Sequence, residues 1–170
     1  MKQPFHRYLL SDIIKRRLFL LIMFWTTGVL LGMLSSVFSD TSLMPSVSLN
    51  RLSIVYYVLL LCAPLILSYI LFRYFNFYLV LPIVLVKAFF FLSCGMHIRL
   101  MYGAAGWLLS ALLLFSDNVA CCILLCFWCH LAYNDHGSWK WNLACTVLLI
   151  SVGCIDHYII SPYVKFLLNF

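Results

Sequence analysis

The sequence predicts an all-α fold, a polytopic bundle of about five transmembrane helices that includes a membrane-embedded half-helix. Hydrophobic residues make up 65% of the 170-residue chain, charged residues only 9%, and the mean hydropathy is +1.05. Soluble domains usually contain about 25% charged residues. The apolar residues also form runs of about 20, the length of helix that crosses a bilayer. Within lipid, a run of this kind forms a helix because a helix satisfies its own backbone hydrogen bonds.

A short basic arm at 1–17 precedes the first span, which is predicted at 18–38. The cations of the arm are Lys2, Arg7, Lys15, Arg16 and Arg17. Positive charge beside the first span marks the cytoplasmic side of a membrane. We therefore expect a multi-pass protein of the cell (plasma) membrane with a cytoplasmic N-terminus. The apolar run exceeds the roughly 7–15 residues of a signal peptide, which favours an uncleaved span.

Two further spans are predicted after a polar loop at 39–50. The second span covers 52–72, where Pro64 predicts a kink. The third covers 78–100 and contains Lys87 in the middle of its apolar residues.

The apolar stretch at 103–133 is too long for one straight span. As a single helix it would reach roughly 46 Å, against a hydrocarbon core of about 30 Å. The polar sequence Ser116-Asp117-Asn118 interrupts it. Two arrangements fit this pattern: a strongly kinked long helix, or a half-helix at 104–115 followed by a full span at 117–133.

The last apolar run predicts a span at 143–162. The transmembrane domain is therefore expected to cover 18–162, between the basic arm and a short C-terminal tail at 163–170. No soluble segment is long enough to hold a nucleic-acid-binding motif, so the basic net charge of +6 is assigned to membrane topology and not to nucleic acid.

Lys87 is the first candidate for a functional or buried polar residue. A charge at the centre of a membrane helix costs roughly 2.5–3.5 kcal/mol on insertion scales, so it is usually buried and paired. The candidate partners are Asp117, beside Asn118 at the helix break, and Asp156 in the last span. A Lys–Asp pair would serve either as part of a proton or ion relay or as a neutral pair that fixes helix register; the second interpretation is favoured because no chain of further acids accompanies it.

Glycines are the candidates for close helix packing. Gly28 and Gly32 form a Gly-x-x-x-Gly pattern on one face of the first span, a spacing that lets two helix backbones approach. Gly95 in the third span and Gly106 in the half-helix complete this set.

The cysteine pattern is only weak evidence for a metal site. Cys122, Cys126 and Cys129 share one helix face, where soft ligands would suit Cu(I) or zinc. Without a paired Cys-x-x-Cys motif, close helix packing is the favoured interpretation. No metal and no cofactor are therefore predicted.

Catalysis is not predicted either. The chain has no Gly-x-Ser-x-Gly, His-Glu-x-x-His or P-loop motif, and no nucleophile and base are evident at one membrane depth. Energy from ATP would have to come from a partner protein.

Several of these features occur together in one family. Gly28-Val29-Leu30-Leu31-Gly32, the segment from Lys87 to Gly95, Gly106-Trp107 and Asn118 resemble the stage II sporulation protein M family (SpoIIM-like, DUF95) over about residues 19–133. Where many relatives carry a proline, and often His-Gly and a glutamate, this chain has Ser116-Asp117-Asn118. The resemblance implies a bacterial, non-enzymatic membrane scaffold or accessory protein. Its named member is a sporulation protein that acts as a scaffold for peptidoglycan hydrolases.

Two functions remain open from the sequence. The first is a scaffold that lies in the lipid bilayer and recruits membrane or envelope proteins, such as peptidoglycan hydrolases, with self-association into a homo-oligomer as a further option. The alternative is a transporter component, either a permease that pairs with an ATP-binding-cassette (ABC) ATPase or a small solute carrier. A third and weaker option, a membrane protein that gives immunity to a toxin, rests only on the small size and the basic arm.

Overall fold

A computed structural model describes residues 3–38, 54–134 and 138–163. These residues form an all-helical bundle without strands, which confirms the predicted fold class. The helices are α1 (Gln3–Phe38), α2 (Ile54–Tyr74), α3 (Leu81–Tyr102), α4 (Ala105–Leu113), α5 (Phe115–Tyr133) and α6 (Trp139–Ile155). A 3-10 turn at Phe77–Val80 leads into α3, and a π-helical turn at Asp156–Ile160 extends α6.

Five helical segments are long and apolar enough to cross a membrane, so the chain is a multi-pass membrane protein. They are Ser11–Phe38, Ile54–Tyr74, Phe77–Tyr102, Phe115–Tyr133 and Trp139–Tyr163. Their apolar side chains cover the outside of the bundle, where a lipid environment replaces the water that a soluble protein would face.

The basic arm is continuous with the first span. α1 runs through the boundary predicted at residue 18 without interruption, because nothing between Lys15 and Phe19 breaks a helix. The loop predicted at 39–50 lies outside the described residues, and so does the tail from residue 164 onward.

α1 and α3 run parallel and touch through glycine. A Cβ atom added to Gly28 would lie 2.5 Å from the carbonyl oxygen of Leu85, and one added to Gly32 would lie 2.7 Å from that of Phe89. Both distances are too short for a carbon atom. The two glycines therefore set how closely the α1 and α3 backbones approach.

The remaining packing glycines differ from one another. Gly106 of α4 sits against α3, where an added Cβ would lie 2.7 Å from the Cα of Arg99. At Gly95 the nearest atom would be 3.9 Å away, an ordinary contact that does not require glycine. Gly153, which the sequence did not single out, brings α6 close to α2, with Val58 at 3.1 Å from an added Cβ.

Large side chains fill the centre of the bundle. Trp128 and Leu65 are both 0% exposed, and the Trp128 indole donates a hydrogen bond to the Ser68 hydroxyl at 2.9 Å. Trp25 of α1 packs beside Trp128, with 6.4 Å between ring centroids. This bond gives the indole a partner in a region with no water to replace it.

The chain turns sharply between α3 and α4. Gly103 has a positive φ of 57°, a conformation that favours glycine, and α4 then returns alongside the end of α3. At Leu114 the backbone leaves helical geometry, with φ −106° and ψ 23°, before α5 begins. Of the two arrangements predicted for this stretch, the half-helix followed by a full span is the one observed.

Candidate functional site

Polar side chains from four helices meet at the point where α5 begins. They are Tyr57 of α2, Lys87 of α3, Ser116 and Asp117 of α5, and Asp156 at the end of α6. Roughly 24 Å of helix separates Asp117 from Tyr133, at about 1.5 Å per residue. With Tyr133 at one edge of a hydrocarbon core of about 30 Å, the cluster lies inside that core, toward the end of the bundle where α2 begins. We call these residues the polar cluster.

Lys87 pairs with Asp117. The ammonium group donates to Asp117 Oδ1 at 2.8 Å, and it joins the first half of α3 to the first turn of α5. The half-helix makes this contact possible, because α4 occupies the outer part of α3 and so delays the start of α5 until it lies opposite Lys87. The positive end of the α5 dipole adds to the attraction for the Asp117 carboxylate.

Asp156, the other predicted partner, is bound by tyrosine. The Tyr57 hydroxyl donates to Asp156 Oδ2 at 2.9 Å and also contacts the Ser116 hydroxyl closely. Asp156 begins the π-helical turn, a local widening that often occurs at functional sites. Tyr57 thus ties α2 to α5 and to the last span at one depth.

The polar cluster contains one ammonium group and two carboxyl groups. Lys87 and Asp117 form the ion pair, and Asp156 has neutral hydrogen-bonding partners. The Lys87 side chain is 18% exposed, while the Asp117 side chain is 43% exposed. The cation is therefore well covered by the bundle, and much of the carboxylate is not.

The break at Leu114 lies beside the polar cluster. The Leu114 N–H donates to the Ser110 carbonyl at 3.1 Å, and the Leu114 carbonyl accepts a hydrogen bond from the Asn118 N–H at 2.8 Å. Ser116 and Asp117 therefore lie in the first turn of α5. Broken backbone at membrane depth is tolerated where protein or a wet cavity surrounds it.

Arg99 fixes the half-helix. Its guanidinium stacks on the Trp107 ring at 3.6 Å from the centroid, and its Nε lies 3.5 Å from the Ser110 hydroxyl. Together with the close contact at Gly106, this holds α4 against α3. Arg99 thereby positions the start of α5, and with it Asp117.

The structure brings together three of the residues that the sequence singled out: Lys87, Asp117 and Asp156. Asn118 lies beside them, half-buried. Sequence reasoning missed Tyr57 and Ser116; the adjacency of Ser116 to Asp117 was a usable signal, whereas nothing distinguished Tyr57 from the other tyrosines near span ends.

The cysteine face of α5 points away from the bundle. Cys122, Cys126 and Cys129 are exposed, so the interpretation of these three as helix-packing residues was wrong, whereas Cys121 and Cys145 are buried. Across residues 3–38, 54–134 and 138–163, no group of three histidine, cysteine or acidic side chains is arranged to hold a metal ion.

Removing the Tyr57 hydroxyl is expected to loosen the polar cluster. Tyr57→Phe deletes the donor to Asp156, which should reduce the free energy of unfolding by about 1–3 kcal/mol. Thermal unfolding of the purified protein in lipid nanodiscs measures the loss. Tyr56→Phe is the matched control, because the neighbouring tyrosine is exposed and should tolerate the change. Equal melting temperatures for the two variants would contradict a stabilising role for the Tyr57 hydroxyl.

Comparison with known proteins gives no relative on which to base a function. No protein-family model, no curated protein and no solved structure matches the chain.

Proposed function

We propose that this chain is a non-enzymatic scaffold or accessory protein of the cell membrane. By its resemblance to the stage II sporulation protein M family, it would recruit envelope or peptidoglycan-remodelling proteins. The observation that carries this proposal is that the polar groups in the bundle bond to one another: Lys87 to Asp117, and Tyr57 to Asp156. Internal pairing of this kind suits a rigid support for other proteins.

The packing of the core favours the same function. Trp128, Phe127 and Phe77 are at most 1% exposed and fill the space between the helices. The glycine contact between α1 and α3 leaves no gap between those two backbones. A solid interior of this kind supports a structural role more than a permeation path.

The distribution of charge supports a cytoplasmic N-terminus. Basic residues lie at the same end of the bundle on three helices: Lys15, Arg16 and Arg17 on α1, Arg73 at the end of α2, and Lys140 at the start of α6. An excess of lysine and arginine at one end is typical of the cytoplasmic side.

Co-purification tests the scaffold proposal. The tagged full-length protein would be crosslinked in cells, extracted in mild detergent and analysed by mass spectrometry. We expect cell-wall hydrolases or other envelope-remodelling proteins to be enriched over a control with an unrelated multi-pass protein. Stoichiometric recovery of an ABC ATPase would overturn the proposal and make the chain a transporter subunit.

A second candidate function is a membrane subunit of a transporter or a small solute carrier. The helix break at Leu114 favours it, because transporters place interrupted helices and their free backbone groups at substrate sites near mid-membrane. Such a site requires access from water to the polar cluster.

Cys94 can distinguish the two functions by its reaction with a thiol reagent. This exposed cysteine of α3 lies within electrostatic reach of Lys87 and Asp117. With Cys94 as the only cysteine, the scaffold predicts no labelling by a membrane-impermeant reagent from either side of sealed vesicles. Tyr74→Cys, at the exposed last residue of α2, is the positive control. Labelling of Cys94 at a rate comparable to that control would favour transport.

A further inference from the structure

The ion pair between Lys87 and Asp117 is exposed on its acidic side. Asp117 keeps 43% of its side chain accessible, although it lies at a depth where the surroundings are hydrocarbon. Charged groups at this depth almost always face the bundle interior, a wet cavity or another charged group. An aspartate that is paired on one side and open on the other is therefore incompletely covered by the residues that the structure describes.

The charge of the polar cluster indicates what covers it. Lys87 supplies one positive charge, and Asp117 and Asp156 supply two acidic groups. Lys87 reaches Asp117 through Oδ1, and no second side chain among the described residues donates to this carboxylate. The uncovered side therefore presents an acceptor without its full set of donors, which suits a cationic group.

A symmetric contact with a second copy does not supply that group. Copies related by an axis along the membrane normal face each other at the same depth, and at the depth of Asp117 the one lysine or arginine among the described residues is Lys87, which is already paired. If the axis passed beside Asp117, two carboxylates would meet and repel in a medium of low dielectric constant. The occupant is thus a different segment with the opposite charge.

We propose that a transmembrane helix of a partner protein docks on the side of α3 and α5 where Asp117 is exposed, and that it presents a lysine or arginine to this carboxylate. The inference rests on the scaffold function proposed above and names the chemistry of the partner. Cys94 lies on the same side of α3, two turns beyond Lys87, so it reports on this surface.

Site-specific photocrosslinking in living cells tests the docking surface. A photoreactive phenylalanine analogue would replace Cys94, with a matched control at Leu148 of α6, which is 53% exposed on another side of the bundle. We expect a crosslinked product at Cys94 and none at Leu148. Sequencing of the crosslinked peptide should identify a transmembrane segment with a lysine or arginine within about one helical turn of the crosslink.

Exchanging the charges of Lys87 and Asp117 tests whether the Asp117 carboxylate binds a partner or only pairs with Lys87. K87D/D117K keeps an ion pair between α3 and α5 but moves the carboxylate to the less exposed position. We expect the swapped protein to accumulate and to melt slightly below the wild type, because its lysine at position 117 lies at the positive end of the α5 dipole. Crosslinking at Cys94 should fall by about tenfold or more, as expected for the loss of one buried charge pair. The single variant D117N, which lacks the negative charge, should lose the crosslink as well.

Each outcome bears on the proposal. Unchanged crosslinking in a folded swap variant would overturn it, and so would a captured segment without a cation; in both cases the scaffold function would stand. If the swap variant fails to accumulate, D117N decides the point, because persistence of its crosslink also overturns the proposal. Absence of any crosslinked protein at Cys94, together with recovered envelope partners, would place docking elsewhere on the scaffold.

Discussion

Replacing Lys87 with methionine is expected to reduce the free energy of unfolding by about 3 kcal/mol, the low end of the usual cost of breaking a buried ion pair on one side, because Asp117 keeps 43% of its side chain exposed. Lys87 is 18% exposed and lies 2.8 Å from Asp117. Methionine fills a similar volume, so the loss arises from the carboxylate left without its cation and not from a cavity. Unfolding of the purified protein by sodium dodecyl sulphate in mixed micelles measures the change.

Lys140→Met provides the control for charge removal. Lys140 lies exposed in the first turn of α6, at the end of the bundle, where its ammonium group is solvated. Exposed charges of this kind contribute about 0–1 kcal/mol at most. If Lys87→Met were as harmless as Lys140→Met, the ion pair would not organise the bundle.

Placing a methyl group on Gly28 is expected to separate α1 from α3. An added Cβ would lie 2.5 Å from the Leu85 carbonyl oxygen and 2.8 Å from the Ala88 Cβ. Neither neighbour is the flexible end of a side chain, so the helices themselves must shift. Overpacking of this kind typically costs about 1–3 kcal/mol, and we expect Gly28→Ala to lie near the upper end.

Gly95→Ala is the matched control for this prediction. The same methyl group at Gly95 would meet its nearest atom, from Leu114, at 3.9 Å, an ordinary van der Waals distance. Since alanine is favoured over glycine in a helix by up to about 1 kcal/mol, this variant should be as stable as the wild type or slightly more stable. Both variants would be compared by the same detergent unfolding assay. A smaller effect at Gly28 than at Gly95 would contradict the packing described for α1 and α3.

The helices could be predicted from the sequence because the membrane imposes strict rules. Apolar runs of about 20 residues have one common solution in lipid, so the spans follow from hydropathy alone. The interruption at Ser116-Asp117-Asn118 likewise predicted a break between α4 and α5, although the break lies at Leu114 and these three residues belong to the first turns of α5. The basic arm predicted at 1–17 is helical from Gln3 onward and continues into the first span, since a change from polar to apolar residues does not end a helix.

The polar cluster could be predicted only in part. Lys87 and the two aspartates stand out because charges within apolar runs are rare and costly. Which aspartate contacts Lys87 depends on the register of α5 along α3, and that register is set by the length of α4 and the turn at Gly103. Tyr57 belongs to the cluster because α2 packs beside α6, a tertiary fact that local sequence does not encode.

The contacts between helices could also be predicted only in part from the sequence. The Gly28 and Gly32 pattern signals a close contact without naming its partner, which the structure identifies as α3. Gly153 has no companion at the same spacing, so its contact with α2 could not be recognised. The outward direction of Cys122 was hidden as well, because α5 is apolar on all sides and its sequence does not distinguish the lipid face from the core.

The coupling between Lys87 and Asp117 is the most direct test of the account, because the ion pair is central to both the fold and the proposed docking. A double-mutant cycle would compare Lys87→Met, Asp117→Leu and the double variant in the detergent unfolding assay. We expect each single change to destabilise the protein, and the double variant to lose about 2–3 kcal/mol less than the sum of the two single losses, which is the coupling energy. Additive losses would show that the two residues act independently and would contradict the account.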